Sequence, residues 1–316
     1  MDELKNKDTK KRWSIFPITH PDLWDMYKAT SNQHWVAEEV DLSHDKFDSL
    51  TLREQDYLKN LLAFFAVSDG LVIENLATNF MNEVDILEAQ YFYGEQTIIE
   101  QVHAEMYSLL IDSYIKDRSE QITMFEAIDK IETVKKKAEW ALNWIDHPSF
   151  VHRLIAFAAV EGLAFSSTFA GIFYFRQGGQ LSGLMSANEF IMRDENAHYE
   201  FAKHLYLNYV KDEFKLDKSE IKKIFMECYE VEKTFVEESL SIGFPGLTKD
   251  MMIQYVQFVT DSILQDFGIE SQFNVSQPLK YMDRIALKTK TNFFERRESI
   301  YTRIERIGDD MFTDDF

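Results

Sequence analysis

Cys228 is the only cysteine in the 316 residues, so neither a structural disulfide nor a CxxC redox pair can form within the chain. Glycine and proline are scarce as well, eleven and five residues, and positions 184 to 242 contain neither. Average usage would be roughly 12% of a chain. With so few turn-forming residues, collagen-like and low-complexity classes are excluded and an all-β sandwich is disfavoured, which leaves helix as the default. Long apolar runs are also missing: the longest are pieces such as Leu61 to Val67, well short of the roughly 18 residues that span a membrane. The opening MDELKNKDTKKR has no hydrophobic signal core, so a cytoplasmic location without membrane attachment is expected. Basic charge is in deficit, 34 Lys and Arg against 54 Asp and Glu, for a net −20. Such a field repels phosphate backbones and anionic lipid, so no nucleic-acid partner is expected.

What is present is helical periodicity. Residues 1–12 are charged and are expected to be mobile, and Phe16 to Trp35, with Pro17 and Pro21 among aromatics, predicts an irregular segment wrapped on the body. From Thr51 onward apolar residues recur every three to four positions. Leu58, Leu62, Phe65, Asp69, Val72 and Leu76 mark one long amphipathic helix, and Tyr93, Glu100, His103, Tyr107 and Leu110 a second. Leu154, Phe157, Glu161, Phe165, Thr168 and Ile172 mark a third, and Ile191, Glu195, His198, Ala202, Leu205 and Tyr209 a fourth. Breaks at 146–148, 177–179 and 243–246 are short enough to be loops within one domain. One helical domain over 13–294 is therefore expected, followed by a polar tail over 295–316 that no apolar stripe would dock.

Each of the four helices carries an acid at a seam position otherwise reserved for apolar residues: Asp69, Glu100, Glu161 and Glu195. Buried carboxylates cost several kcal/mol each unless compensated. Two of these helices add a histidine one turn on, in Glu100-Gln-Val-His103 and Glu195-Asn-Ala-His198, a spacing that turns both side chains to one face. Two divalent cations would neutralise the four carboxylates, and mixed carboxylate and imidazole ligation suits iron or manganese. One acid from each of two helices with Glu-x-x-His from each of two others is the known ligand pattern of ferritin-like di-iron bundles. The expected fold is thus all-α, a ferritin-like bundle with a di-metal carboxylate site in its core. A single Glu-x-x-His on a helix is usually a solvated face; two of them, each preceded by a seam acid at a similar distance, point to metal.

Tyr107 lies one further turn beyond His103, about 6 Å along the axis, within reach of oxidation at such a site. A buried tyrosine is ordinarily core. Here Phe165 and Phe169 follow Glu161 by four and eight residues, and Ile191 precedes Glu195 by four, so apolar side chains turned toward the site could shield a phenoxyl radical. Two other functions fit the same fold, a di-iron oxidase or oxygenase, which would need a substrate channel and no tail, and an iron-storage bundle, which would need neither Tyr107 nor an aromatic shell around it.

The segments LAFFAVSDG (62–70), EQVHAEMYSLLIDSYIKD (100–117), VKKKAEWAL (134–142), AFAAVEG (156–162), RDENAH (193–198) and KTNFFERR (290–297) resemble, in order, the small (β) subunit of class I ribonucleotide reductase in its eukaryotic and large-DNA-virus branch. The resemblance implies an oxo-bridged pair of iron ions held by Asp69, Glu100, His103, Glu161, Glu195 and His198, with manganese as the alternative metal, and a radical on Tyr107. It also implies radical transfer through Trp35 and Asp194 and, at the subunit interface, Tyr301. A homodimer is implied, together with a separate large subunit that holds the nucleotide and the catalytic thiols, since the lone Cys228 offers no pair. Phe312 and Phe316, set among Asp309, Asp310, Asp314 and Asp315, are then expected to anchor the tail in that large subunit.

Overall fold

A computed structural model of the chain describes residues 12–282. Among them the regular structure is helical throughout, with nine principal helices and no strand. In chain order these are α1 (Pro21–Ser31), α2 (Leu52–Asn75), α3 (Leu87–Tyr114), α4 (Glu132–Ile145), α5 (Phe150–Ala159), α6 (Ser166–Tyr174), α7 (Ser182–Tyr209), α8 (Lys218–Ser239) and α9 (Lys249–Asp266). All nine helices belong to the compact unit that ends at Pro278; a second unit begins at Leu279. Apart from Arg12, the segment expected to be mobile lies outside the described residues, as do the tail and, with it, Tyr301, Phe312 and Phe316.

Local chemistry sets the helix starts. Thr51 Oγ1 accepts the Glu54 N–H while the Glu54 carboxylate accepts the Thr51 N–H at 2.9 Å, a reciprocal cap that opens α2. Asp217 and Glu220 repeat the device at α8. The N-terminus of α7 is capped from a distance: Asp45 accepts the N–H groups of Gly183 and Leu184 at 2.7 and 2.9 Å. A Cβ at Gly183 would lie 2.5 Å from the Asp41 carbonyl oxygen, so only glycine lets the two segments approach this closely.

The segment over Phe16 to Trp35 departs from its expected irregularity, because Pro21 to Ser31 is helical. Pro21 occupies the first turn, where its missing N–H costs nothing, so the residue read as a breaker is a helix start. Trp24 and Tyr27 then pack edge to face with Tyr91 of α3, at 5.8 and 5.5 Å between ring centres. Ahead of the helix, Glu88 of α3 is fully buried and ties the segment down: it pairs with Arg12 at 2.8 Å and accepts the Thr19 N–H at 2.8 Å.

In the core α2 packs on α3, α3 on α7, α7 on α5, and α6 on both α2 and α7. Aromatic rings fill the spaces between them; Phe92 of α3 stacks on Phe201 of α7 at 3.7 Å. Two continuous helical stretches, Leu52–Glu83 and Phe150–Gly178, are long and apolar enough on average to cross a membrane, although uninterrupted runs had suggested none. They are the central helices of the bundle, and each delivers a buried carboxylate to its middle, Asp69 and Glu161. Neither stretch is a regular α-helix throughout. Each contains a π turn, Leu76–Phe80 in the first and Val160–Ala164 in the second.

Candidate metal centre

Asp69 comes from α2, Glu100 and His103 from α3, Glu161 from the π turn between α5 and α6, and Glu195 and His198 from α7. All six are buried, none more than 4% exposed. Their donor atoms form two overlapping groups, Asp69 with Glu100 and His103, and Glu100 with Glu161, Glu195 and His198; within each group the atoms lie within 4.8 Å of one another. Glu100 belongs to both, as a carboxylate shared by two cations would. Glu74 and Glu105, neighbours on the same helices, are exposed.

The ring nitrogens turn toward the carboxylates. His198 Nδ1 lies 3.0 Å from oxygens of both Glu100 and Glu195, and His103 Nδ1 lies 3.1 Å from Glu195 Oε1 and 3.4 Å from Glu100 Oε2. Few of these approaches are aligned as hydrogen bonds. Asp69 Oδ2, both Glu100 oxygens, His103 Nδ1, Glu161 Oε2 and Glu195 Oε1 are buried without a hydrogen-bond partner. Buried polar atoms normally find partners, so six orphans converging in one place mark a position for something that accepts lone pairs. Carboxylate and imidazole donors without thiolate suit iron or manganese.

Electrostatics agree. Without cation charge, burial pushes the Asp69 and Glu161 carboxyls well above the usual range, reinforced by Glu100 at Asp69 and by Glu195 at Glu161. Burial also opposes charge on Glu195, but the neighbouring Glu161 carboxyl and the His103 and His198 rings outweigh it and hold its pKa low. Burial likewise opposes a charged His198; Glu100 and Glu195 override it and raise the imidazole to about 9. Protons thus gather on the cluster where positive charge is wanted.

The third seam pattern is not one unbroken α-helix. The π turn adds a residue at 160–164 and places Glu161 within it; π turns of this kind are frequent at functional sites. A Cβ at Gly162 would lie 2.7 Å from the Tyr199 ring, so the glycine beside Glu161 is what allows α7 to pack against the turn.

Around the donors is a layer that sequence reasoning caught only in part. Asp194 Oδ2 accepts the Trp35 indole N–H at 2.8 Å and lies 3.4 Å from His103 Nε2. Arg193, which no spacing singled out, holds the other Asp194 oxygen at 2.9 Å and donates to the Gln33 carbonyl. Gln96 donates to Glu161 Oε1 at 3.3 Å, and Ser68 to Asp69 Oδ1 at 3.4 Å. Gln96 could have been suspected, being one turn before Glu100 on the same buried face.

Tyr107 is 1% exposed, and its hydroxyl has no hydrogen-bond partner. Burial raises its pKa far above the phenol range, with Asp69 the leading charged contributor, followed by Glu195 and Glu100. Its ring stacks on Phe65 at 4.7 Å, tilted by 13°. Phe165 and Phe169 in turn pack on Phe65 at 5.4 and 4.7 Å, so the shell is layered and its innermost ring is Phe65, which the sequence marked only as a seam residue. Ile191 is fully buried one turn before Glu195.

Fold and site together define a ferritin-like carboxylate protein built around a buried di-metal position. Residues 12–278 match the model of the family described as "Ribonucleotide reductase, small chain", and the chain belongs to that family. It is 46% identical to the ribonucleoside-diphosphate reductase small subunit of Dictyostelium discoideum, covering 96% of this chain and 93% of that one. It is 42% identical to the human subunit M2, over 96% and 78%. Among solved structures it resembles the ribonucleotide reductase Rnr4 homodimer of Saccharomyces cerevisiae, with a TM-score of 0.77 at 31% identity over 93% of this chain and 91% of that one. The dimanganese(II)-NrdF of Streptococcus sanguinis shares the fold, with a TM-score of 0.75 at 19% identity over 86% and 99%.

Proposed function

We propose that this chain is the radical-generating small subunit of a ribonucleoside-diphosphate reductase, with iron as its metal. The observation that carries the reading is the pair of donor groups sharing Glu100, with a buried, unpartnered Tyr107 hydroxyl in their field. Asp69, Glu100, His103, Glu161, Glu195 and His198 would hold two iron ions. When bound, the pair would supply, with dioxygen, the oxidising power that converts the Tyr107 phenol to a phenoxyl radical.

The chain's own residues do the rest. Burial and nearby carboxylates keep the Tyr107 proton in place at rest, and the Phe65 ring lies against one face of the phenol with Phe165 and Phe169 behind it, which excludes water and reductants. Asp194 faces His103 Nε2 and so leaves Nδ1 toward the carboxylates. The same carboxylate oxygen accepts from Trp35, so a proton released at the indole nitrogen as an electron leaves has an acceptor already in place. That supports Trp35 and Asp194 as the start of the transfer path.

Ribonucleotide reduction consumes a pair of thiols. Cys228 is single and buried, so the reduction belongs to a separate large subunit. Transfer to it through Tyr301, and docking by Phe312 and Phe316, complete the proposal, with a homodimer in the cytoplasm as the working form. The deciding experiment is low-temperature electron paramagnetic resonance after ferrous iron and oxygen are added. A tyrosyl signal is expected in the wild type and none in Tyr107→Phe; the same signal in both would place the radical elsewhere.

A further inference from the structure

The π turn that carries Glu161 is an energetic problem for the chain, and the surrounding helices answer it with side chains that the proposed function does not use. Inserting a residue into a helix breaks the regular ladder and leaves backbone groups to be paired from outside. Three groups at the turn are met in this way and a fourth is met locally. Lys137 of α4 donates to the Ala164 carbonyl at 2.6 Å. Glu232 of α8 accepts the Ser167 N–H at 3.0 Å. Cys228, one turn before Glu232, points its thiol at the Ala159 carbonyl at 3.6 Å, and Ser166 takes the Leu163 carbonyl at 2.7 Å.

Lys137 and Glu232 are themselves paired at 2.7 Å, with exposures of 4% and 0%. The ammonium lies 3.5 Å from the centre of the Phe64 ring and 4.1 Å from that of Phe235. The neighbouring lysines differ: Lys135 and Lys136 meet Glu139 and Glu238 at the surface. A buried ion pair is no bargain for stability, since apolar residues of the same volume often do as well or better. Its presence calls for a task that apolar residues cannot perform, and here each partner of the pair also holds one backbone group of the turn.

We propose that Lys137, Glu232 and Cys228 form a positioning device for Glu161: they hold the π turn in the one arrangement that brings this carboxylate to the donors on α3 and α7. Because Lys137 and Glu232 cancel each other's charge, the device leaves the net charge of the metal centre unchanged. The inference rests on the di-metal reading above.

The test compares the wild type with Lys137→Met/Glu232→Gln, which removes both charges at nearly constant volume, and with Glu232→Gln alone, whose amide oxygen can still accept from Ser167. Each metal-free protein is titrated with Mn(II) in a calorimeter, and amide hydrogen exchange is followed without metal. The wild type should take two ions. In the double variant one equivalent should bind as in the wild type and the other about tenfold or more weakly, the size typical of losing a residue that orients a ligand. Exchange at 160–168 should accelerate while α2 and α3 keep their protection, and Glu232→Gln, which leaves the Lys137 ammonium buried without its partner, should accelerate it at least as much. If the double variant does not fold, Glu232→Gln alone decides, by the same selective weakening. Two ions at wild-type affinity with unchanged exchange at 160–168 would overturn the device. So would a parallel weakening of both ions and of all helices, which is what a merely structural pair predicts. A wild type that binds no ion pair would instead refute the di-metal reading.

Discussion

The Trp35 indole N–H and Asp194 Oδ2 are 2.8 Å apart across 159 residues of sequence, and the same oxygen lies 3.4 Å from His103 Nε2. A buried tryptophan is thereby linked to His103 of the candidate metal centre through a single carboxylate. Asp194→Asn keeps the shape but loses the charge, and metal affinity should fall about 10- to 100-fold, as it does when a residue orienting a histidine ligand is lost. Trp35→Phe should bind two ions and form the Tyr107 radical yet lose ribonucleotide reduction. Metal analysis and turnover, measured on both variants, separate the two roles. Full turnover in Trp35→Phe would remove it from the path.

Tyr107→Phe deletes a buried hydroxyl that has no partner. Its stability should therefore change by no more than about 1 kcal/mol, because no hydrogen bond is lost and an unsatisfied group is removed. Iron loading should be unaffected, while the radical and reductase activity disappear together. Phe65→Leu should retain the radical but shorten its lifetime, as the ring that stacks on the phenol is gone. A decay rate equal to wild type would assign the protection to Phe165 and Phe169 alone.

His198→Ala and Glu161→Ala each remove a donor from the group that shares Glu100 with Asp69 and His103. Elemental analysis should find fewer than two ions per chain in both variants. Chelation of the wild type should lower its melting temperature, since bound cations stabilise the folded state by mass action and their loss leaves clustered carboxylates to repel one another. Calorimetry with and without chelator measures this. An unchanged midpoint would mean that the cluster is stable without cations.

Glu88 supplies a pH dependence. Burial opposes its charge, but hydrogen bonds from the Arg12 side chain, the Thr19 backbone and His20 win and lower its pKa to about 2. Its unfolded value is about 4.3, so the folded form holds the proton more weakly than the unfolded one. The stabilisation it gives is then complete above about pH 4.3 and is lost as the pH falls toward 2. Glu88→Gln should flatten the stability profile in that window and make the segment around residues 12–20 more accessible to protease at neutral pH. Identical profiles for the two proteins would show that the segment is held by α1 packing instead.

The parts of this architecture legible in the sequence were those written in local periodicity. Asp69, Glu100, His103, Glu161, Glu195 and His198 fall on the buried faces of four helices, and the structure brings their donor atoms together. The segment before Trp35 is irregular by its sequence pattern and partly helical in the structure, because proline marks a helix start as readily as a break and only the packing of Trp24 and Tyr27 on Tyr91 chooses between them. Phe65 and Gln96 were on the right faces, but no spacing along one helix could say that the first would stack on Tyr107 or that the second would reach Glu161.

By itself the sequence determined the helical class, the acids and histidines set at seam positions and the pairing of each histidine with a glutamate one turn before it, since all three follow from a backbone repeat that each helix carries alone. The tertiary structure decided that Glu100 is the carboxylate common to both donor groups, that Asp194 stands between Trp35 and His103, and that Glu161 sits in a π turn. That turn is paired by Lys137 and Glu232, 27 and 65 residues from the backbone groups they hold. A departure from regular helix is favourable only when such distant partners compensate its unpaired groups, and their arrival depends on how whole helices pack, which no local pattern encodes.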